Sequence, residues 1–370
     1  MYEGEIAEVS GQLTGGDIVD VLSDRGAFLG RGYVNPASKI RVRILTHQAE
    51  PIGEDFFARR LEDAVALRRR VVRDTTAYRV VFSEGDLLPG LVVDRYGDTL
   101  VMQTLTAGMD RRQDLLADLL LRLTGANAVY LRNDAKSRTL EGLPLGQGFL
   151  RGDGPTQVEV QEGPARFVVD VARGQKTGWF CDQRENRLAA AALAHGVEVL
   201  DAFCHTGAFG IHAALAGAAV VTALDESAEA AAMAQAHATR NGVADRYTVR
   251  TVDAIGELRR MEASGYRCDL AVLDPPAFAR TRVAVTRALT GYKEINLRAL
   301  RLLRPGGFLV SCSCSWHVDE GQFWSAVLEA ARDAKRDLRL IEFRSQARDH
   351  PMLAAMPETR YLKCLILQAW

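Results

Sequence analysis

A cysteine stands at the end of an apolar run in the last third of the chain. Residues 308–315 read Phe-Leu-Val-Ser-Cys-Ser-Cys-Ser, and in a strand of this sequence Cys312 and Cys314 would share one face. Cys314 is nearer the carboxyl end, so we predict that it reaches a ligand cleft there. Its thiolate could add to carbon 6 of a pyrimidine and so make carbon 5 nucleophilic. We predict that Cys312 is a buried, inert thiol.

An aspartate followed by two prolines ends another apolar run, at residues 269–274. The segment reads Asp274-Pro275-Pro276-Ala277-Phe278. The prolines hold the chain extended and lack N–H donors, so Asp274 and nearby carbonyls would face a flat substrate. Methyltransferases of exocyclic amines use a similar turn with an aromatic residue directly after the prolines. The alanine at that position disfavours amine methylation.

Three further acids follow apolar runs: Asp201, Asp225 and Asp253. A carboxylate at such a position can accept hydrogen bonds from ribose hydroxyls or from an adenine amino group. Asp225 and Asp253 could instead cap the helices that follow them, but the three acids together favour a nucleoside site. The loop after Asp201 contains Gly207 and Gly210 but no GxGxxG sequence, which disfavours a dinucleotide. S-adenosylmethionine has no pyrophosphate and makes weaker demands on this loop.

The elements that must position these residues are predicted from periodicity. From residue 174 onward, short apolar runs alternate with helical stretches rich in Ala and Leu, which predicts a mostly parallel sheet covered on both faces. Such a sheet binds its ligand outside the carboxyl ends of its strands. The predicted strands are 197–203, 220–225, 247–251, 269–274, 308–313, 338–343 and 361–368.

The N-terminal half has a different pattern. Residues 1–52 read as an all-β unit with runs at 16–22, 28–34 and 40–45. A helix over 55–73 and a small α+β unit follow, with strands at 78–82, 91–94, 100–105 and 128–132 and a helix at 111–123. The Gly-rich stretch 140–155 reads as a linker, and 158–160 with 166–171 as a hairpin. Arg41, Arg43 and the arginines of 59–73 are candidate RNA contacts.

Composition narrows the function classes. Lys plus Arg is 46 and Asp plus Glu is 47, a formal net charge of -1, which argues against uniform coating of nucleic acid. The first residues have no signal-peptide pattern, and no uncharged apolar run approaches the roughly 18 residues of a membrane span. Six cysteines without a CxxC pair predict reduced thiols, a cytoplasmic location and no metal site.

Several segments together resemble one known family, the PUA-domain-containing 23S rRNA cytosine-5 methyltransferases, which are class I S-adenosylmethionine-dependent enzymes of bacteria. The resemblance covers nearly the whole chain. The most similar segments are GQKTGWFCDQRENR at 174–187, DPPAF at 274–278, GYKEIN at 291–296 and SCS at 313–315, with AFLGRGYVNPAS at 27–38 and EGDLLPG at 84–90 in the N-terminal half.

The resemblance implies an α/β fold in which a Rossmann-like methyltransferase domain follows a small β-barrel PUA-like domain and a small α+β central domain. The implied boundaries are 1–54 for the PUA-like domain, 55–155 for the central domain, 156–173 for a β-hairpin connector and 174–370 for the methyltransferase domain. It also implies S-adenosylmethionine as cofactor, and 23S rRNA or a large-subunit precursor as partner. A membrane is not implied, and a homodimer is left open.

Residue by residue, the family's nucleophile falls on Cys314, with Asp274 holding the target ring. The cofactor positions are Lys176, Thr177, Phe180, Arg184, Asp201, Phe203, Thr206, Gly207, Asp225, Ser227, Asp253, Ala254 and Asp274. The substrate positions are Pro275, Pro276, Tyr292 and Lys293.

Two departures from the family pattern leave questions open. The chain starts late relative to the family, so the first PUA strand is predicted to be missing or replaced. Related RNA cytosine-5 methyltransferases have a second cysteine after the prolines, where this chain has Ala277; the base for the carbon 5 proton is then Asp274 or water. A methyltransferase acting on a purine nitrogen and an inactive RNA-binding assembly factor remain as alternative functions.

Overall fold

The computed structural model describes residues 1–279 and 281–370, which form two compact units. The first comprises Met1–Val160, Val168–Cys181 and Arg348–Thr359, and the second comprises Gln161–Phe167, Asp182–Ala347 and Arg360–Trp370. Within the described residues no helix is both long and apolar enough to cross a lipid bilayer.

The first unit begins with a three-stranded antiparallel sheet, as the turn-punctuated runs predict. Its strands are β1 (Ile18–Leu22), β2 (Phe28–Val34) and β3 (Val42–Thr46), in the order β1-β2-β3. Val21, Val34 and Val42 form its small apolar core.

The rest of the first unit is α+β, with one helix before a five-stranded sheet and two helices within it. The sheet has the order β4-β5-β6-β7-β8, and apolar side chains of the first and third helices pack with its strands in one core. The elements are α1 (Glu54–Val71), β4 (Ala77–Phe82), β5 (Leu91–Tyr96), β6 (Thr99–Thr104), α2 (Ala107–Asp110), α3 (Gln113–Thr124), β7 (Ala128–Asn133) and β8 (Gly146–Arg151).

The prediction of a linker over 140–155 is wrong. Residues Gly146–Arg151 form β8, which pairs antiparallel with β7 and is the edge strand of the sheet. The glycines hid this strand from a reading by periodicity, because glycine has no side chain to show the two-residue alternation of a strand. Gly148 has a φ of 147°, a conformation that a residue with a side chain rarely adopts.

The predicted hairpin is confirmed. Strands β9 (Gln157–Glu162) and β10 (Ala165–Asp170) form a two-stranded sheet, and Gly163 in the turn between them has a φ of 54°.

The second unit contains the predicted seven-stranded sheet. Its order is β13-β12-β11-β14-β15-β17-β16; the first five strands run parallel, and β17 runs antiparallel to both of its neighbours. The elements are α4 (Arg184–Ala191), β11 (Glu198–Ala202), α5 (Ala208–Leu215), β12 (Val220–Asp225), α6 (Ala228–Arg240), β13 (Tyr247–Thr251), α7 (Ala254–Ala263), β14 (Cys268–Leu273), α8 (Val285–Leu302), β15 (Leu303–Ser313), α9 (Glu320–Ala334), β16 (Leu338–Arg344) and β17 (Lys363–Ala369).

The predicted boundary at residue 174 falls inside the first unit, which extends through Cys181. Thr177 shows why this segment packs there. Its side chain is fully buried, and its hydroxyl bonds to the Asp94 carboxylate and the Tyr96 hydroxyl, both on β5. Buried polar groups of this kind need partners, so the segment is fixed to the central sheet.

Candidate active site

The carboxyl ends of the parallel strands place the predicted residues in one row on the second unit. The order of strands puts Asp253 after β13 at one end, then Asp225 on β12, Asp201 on β11, Asp274 after β14 and Cys314 after β15. The direction of strand order reverses between β11 and β14. In open α/β sheets the crevice at such a switch point binds the ligand.

The loop after β11 has an unusual backbone at this switch point. Phe203, His205 and Gly207 have φ values of 64°, 48° and 85°. Phe203 and His205 carry side chains, so their left-handed backbone conformations cost energy that the surrounding contacts must offset. Cys204 N–H donates to the Leu224 carbonyl, and His205 N–H donates to Asp225, so β12 fixes the loop. Strain of this kind concentrates at ligand sites.

The two glycines of this loop serve internal packing. A Cβ on Gly207 would lie 2.6 Å from the Tyr247 hydroxyl oxygen, and one on Gly210 would lie 2.8 Å from a ring carbon of the same tyrosine. Tyr247 thus fills the space that a side chain at either position would take.

Asp201 is fully buried beside the loop. One carboxylate oxygen accepts a hydrogen bond from Gly210 N–H at 2.8 Å, and the other has no hydrogen-bond partner within the described part of the chain. Burial, together with smaller contributions from the negative charges of Asp274 and Asp225, raises the pKa of Asp201 to about 7. The carboxyl therefore changes its charge near neutral pH.

Asp225 and Ser227 have different roles at the end of β12. Asp225 accepts hydrogen bonds from His205 N–H at 2.7 Å and from Ser227 N–H at 3.0 Å, and it is half-buried. Ser227 is the N-cap of α6, where its hydroxyl accepts from Ala230 N–H. The cap of this helix is therefore the serine rather than Asp225. Each carboxylate oxygen keeps a second lone pair for a ribose hydroxyl.

Asp253 is the N-cap of α7, as its alternative interpretation expected. Its carboxylate accepts from Gly256 N–H at 2.8 Å, the side chain is exposed, and Ala254 behind it is buried. An N-cap carboxylate can still accept from a ligand, because the cap uses one lone pair of several.

Asp274 is half-buried and is fixed by an amide. Gln183 donates its side-chain N–H to one carboxylate oxygen at 2.8 Å, and Asn186 in turn donates to the Gln183 side-chain carbonyl at 2.7 Å. This chain of hydrogen bonds orients Asp274 at the carboxyl end of β14.

Cys314 lies directly beyond β15, facing the proline segment. Its Sγ is 3.8 Å from the Pro275 carbonyl oxygen. All six cysteines lie within the described residues, and Cys314 is partly exposed whereas the other five are buried. Cys312, on β15 itself, is fully buried, as the sequence predicts.

Two protein-family models match the sequence of this chain. A model described as a PUA-like domain matches residues 1–47, and one described as an S-adenosylmethionine-dependent methyltransferase matches residues 146–367, more than half of the chain. The chain belongs to the S-adenosylmethionine-dependent methyltransferases. The predicted fold class and cofactor are thereby confirmed, as is the predicted combination of a PUA-like domain with such a methyltransferase domain.

Known proteins agree with this assignment. The chain is 42% identical to "Ribosomal RNA large subunit methyltransferase I" of Shewanella denitrificans, covering 97% of this chain and 92% of that protein. It is 41% identical to the protein of the same name from Shewanella amazonensis, covering 100% and 95%. A putative SAM-dependent methyltransferase from Streptococcus mutans shares the fold, with a TM-score of 0.82 at 20% identity over 97% of this chain and 93% of its own. A putative methyltransferase complexed with SAH has a TM-score of 0.83 at 21% identity, over 96% and 92%.

In this methyltransferase, Tyr292 positions the segment that carries Cys314. The side chain is fully buried on α8, and its hydroxyl lies 2.9 Å from the hydroxyls of both Ser313 and Ser315. Ser315 also accepts from Ala279 N–H at 3.1 Å. The sequence reading placed Tyr292 at the substrate; its burial favours a role behind the thiol.

The other predicted substrate positions differ in exposure. Pro275 is buried and Pro276 is exposed. Lys293 is one-third exposed and pairs with Asp333 and Glu329 of α9 at 2.9 and 3.4 Å. Because Lys293 already forms ion pairs with these two acids, a phosphate would have to compete with them.

The predicted cofactor residues on the N-terminal side fall in different units. Lys176, Thr177 and Phe180 belong to the first unit, where the Lys176 ammonium lies 4.6 Å from the centre of the Phe180 ring. Arg184 belongs to the second unit and is buried. Phe203 and Thr206 are half-buried on the loop after β11.

Several of the candidate RNA arginines have hydrogen-bond partners within the first unit. Arg43 bonds to Glu141 at 3.1 Å, and Arg68 is buried with its guanidinium on Asp86. Arg41 bonds to the Pro36 carbonyl and to Glu3. On α1, the exposed arginines are Arg59, Arg69, Arg70 and, just after it, Arg73.

Sequence reasoning missed two residues of the site. Gln183 lies between Asp182 and Arg184 in the segment that resembles the cofactor motif, so its position was a signal. Lys363 begins β17, and its ammonium donates to the carbonyl oxygens of Ser315 and Val318, on the loop after Cys314. No local pattern marks this lysine.

Proposed function

We propose that this methyltransferase forms 5-methylcytosine in 23S rRNA through a covalent adduct of Cys314. Its relatives carry the name Ribosomal RNA large subunit methyltransferase I, which supports a ribosomal RNA substrate. The exposure of Cys314 at the carboxyl end of the sheet carries the choice of carbon 5, because methylation of a nitrogen needs no thiol nucleophile.

The row of acids fits the cofactor. Asp225 and Asp253 are suited to the ribose hydroxyls and the adenine amino group, and the strained loop from Asp201 to Gly207 would hold the amino-acid portion. S-adenosylmethionine supplies the electrophilic methyl group.

The residues around Cys314 supply the activation of the base. The target cytosine must leave its stack to reach them. The Cys314 thiolate forms a bond to carbon 6, and the electron pair of the ring double bond makes carbon 5 nucleophilic. Carbon 5 would then take the methyl group as the sulfonium–methyl bond breaks, with the neutral thioether as the leaving group. Asp274, oriented by Gln183, is placed to hold the ring nitrogen and amine. The carbon 5 proton then leaves to Asp274 or water, and the carbon–sulfur bond breaks to restore the thiolate.

The first unit would bind the RNA. Its PUA-like sheet and the exposed arginines of α1 offer shape and phosphate contacts without base readout. On the second unit, Trp316 is half-exposed two residues beyond Cys314 and offers an aromatic surface on which a base could stack.

The experiment compares two single cysteine variants. Cys314→Ala is expected to keep S-adenosylmethionine binding by calorimetry and to lose 5-methylcytidine in rRNA by nucleoside mass spectrometry. Cys268→Ala, a fully buried thiol at the amino end of β14, is the control and should keep both. Full methylation by Cys314→Ala refutes the adduct. If deleting the gene removes a methylated purine and leaves 5-methylcytidine intact, the choice of cytosine is wrong.

A further inference from the structure

Lys363 is an unusual residue for the position it takes. It is 4% exposed, and its ammonium donates to three backbone carbonyls: Ser315 at 2.7 Å, Val318 at 2.8 Å and Tyr361 at 2.9 Å. All three protons of the ammonium thus go to neutral acceptors. Burying a cation on neutral partners is costly, which is why lysine is rarely fully buried.

The surroundings of Lys363 link it to Cys314. In the antiparallel pairing of β15 with β17, Lys363 lies opposite Ser313, the residue before Cys314. Two of its three acceptors lie on the loop that follows Cys314. Burial lowers the pKa of Lys363 to about 8, and a negative charge on Cys314 opposes that fall. The two groups therefore favour each other's charged forms.

We propose that Lys363 is a positioning residue for the nucleophile: it clamps the loop after Cys314 and stabilises the Cys314 thiolate. This inference rests on the proposed function, because a structural thiol would need no such charge. A cation close to a thiol lowers the thiol's pKa and so increases the fraction of reactive thiolate at neutral pH.

Several other titratable groups surround Lys363 and Cys314. Asp319 and Glu320, at the start of α9, favour the ammonium of Lys363, and Arg360 disfavours it. On the side of the thiol, burial and a negative charge on Cys314 raise the pKa of Tyr292 on α8. Asp274 directly precedes Pro275, whose carbonyl oxygen contacts Sγ of Cys314. Asp274 would oppose a thiolate, so a nearby cation is needed to offset it.

The test measures the thiol itself. The full chain, without S-adenosylmethionine or RNA, is alkylated with iodoacetamide across a pH series, and the Cys314 peptide is quantified by mass spectrometry. Because the other five cysteines are buried, alkylation of the native protein should be selective. Lys363→Met should raise the pH midpoint of Cys314 alkylation by about one unit, slowing the reaction up to about tenfold at neutral pH.

Companion variants separate charge from packing. Lys363→Arg keeps the charge and should retain the wild-type midpoint, whereas Lys363→Gln keeps a hydrogen-bond donor without charge and should behave like Lys363→Met. Lys335→Asn is the matched control: this lysine is exposed at the end of α9 with a φ of 55°, which asparagine accepts. Its midpoint should equal that of the wild type.

An unchanged midpoint in both neutral variants would overturn the proposal. If alkylation is then also faster at every pH, Lys363 is a purely structural clamp. A methylation assay separates this proposal from the proposed function. If Cys314→Ala still forms 5-methylcytidine while Lys363→Met shifts the midpoint, the adduct mechanism fails and the coupling of Lys363 to Cys314 stands.

Discussion

Replacing Asp201 with asparagine should change how the stability of this protein depends on pH. The pKa of the buried carboxyl is raised from 3.8 to about 7 in the folded state. Between these values the folded protein binds a proton that the unfolded chain has lost, so stability falls as pH rises from about 4 to about 7. Above about pH 7 the Asp201 carboxyl is ionised in both the folded and the unfolded chain, and the full cost of burying its charge remains.

The size of the effect follows from the two pKa values. Relative to a carboxyl that never ionises, the folded state loses about 2 kcal/mol at pH 5.5 and about 4 kcal/mol at pH 8. Asparagine keeps an oxygen for Gly210 N–H but cannot ionise, and its NH₂ takes a place where Asp201 has no partner, which costs about 1–3 kcal/mol at both pH values. The difference between variant and wild type should therefore grow by about 2 kcal/mol between the two conditions.

Thermal unfolding of the full chain measures this difference. The melting temperature of Asp201→Asn should rise, relative to wild type, by about 2–3 °C more at pH 8 than at pH 5.5. Asp253→Asn is the matched control, because it makes the same change on an exposed helix cap at the same edge of the sheet, and asparagine caps as well. Equal pH dependence in wild type and Asp201→Asn would refute the argument that Asp201 is ionised at a cost.

Three further variants test separate contacts. Tyr292→Phe leaves two serine hydroxyls without their shared partner, so we expect a loss of about 1–3 kcal/mol in a denaturant titration and altered alkylation of the thiol they flank. Gly207→Ala places a Cβ against the Tyr247 hydroxyl at a positive φ and should cost at least about 1–2 kcal/mol; an unchanged melting temperature would contradict the packing role. Glu162→Gln leaves the buried Arg187 without its carboxylate and should cost about 3–5 kcal/mol near neutral pH by the same titration. Since the Arg187 guanidinium holds the pKa of Glu162 below its usual range, the wild type should lose this stability as pH falls below about 4, and the variant should not.

The row of strand-end acids could be predicted from sequence because each depends on local information. An apolar run of five or six residues followed by an acid fixes both the strand and the end at which the acid lies, and parallel strands bring those ends to one edge. Asp201, Asp225 and Asp274 follow this rule in the structure, and Cys314 likewise lies at the carboxyl end of its strand.

What could not be predicted depends on which elements meet far apart in the chain. Lys363 reaches the loop after Cys314 only because β17 pairs with β15 in one particular register. Thr177 looks like a ligand residue in the sequence, but its hydroxyl is taken up by Asp94, 83 residues away. Neither partner can be read from periodicity or spacing, because both are set by tertiary packing.

The edge of the sheet has an ordered distribution of charge that matches the proposed reaction. Asp225, Asp201 and Asp274 lie on three neighbouring strands, where a cationic sulfonium would be attracted. Lys363 lies on β17, next to β15, and its ammonium holds the loop that follows the thiol that must become an anion. Acids alone would attract the methyl donor and at the same time suppress the nucleophile. The positive charge of Lys363 would reduce that conflict. Because Lys363 and Asp201 are both buried, added salt should screen their electrostatic effects only weakly.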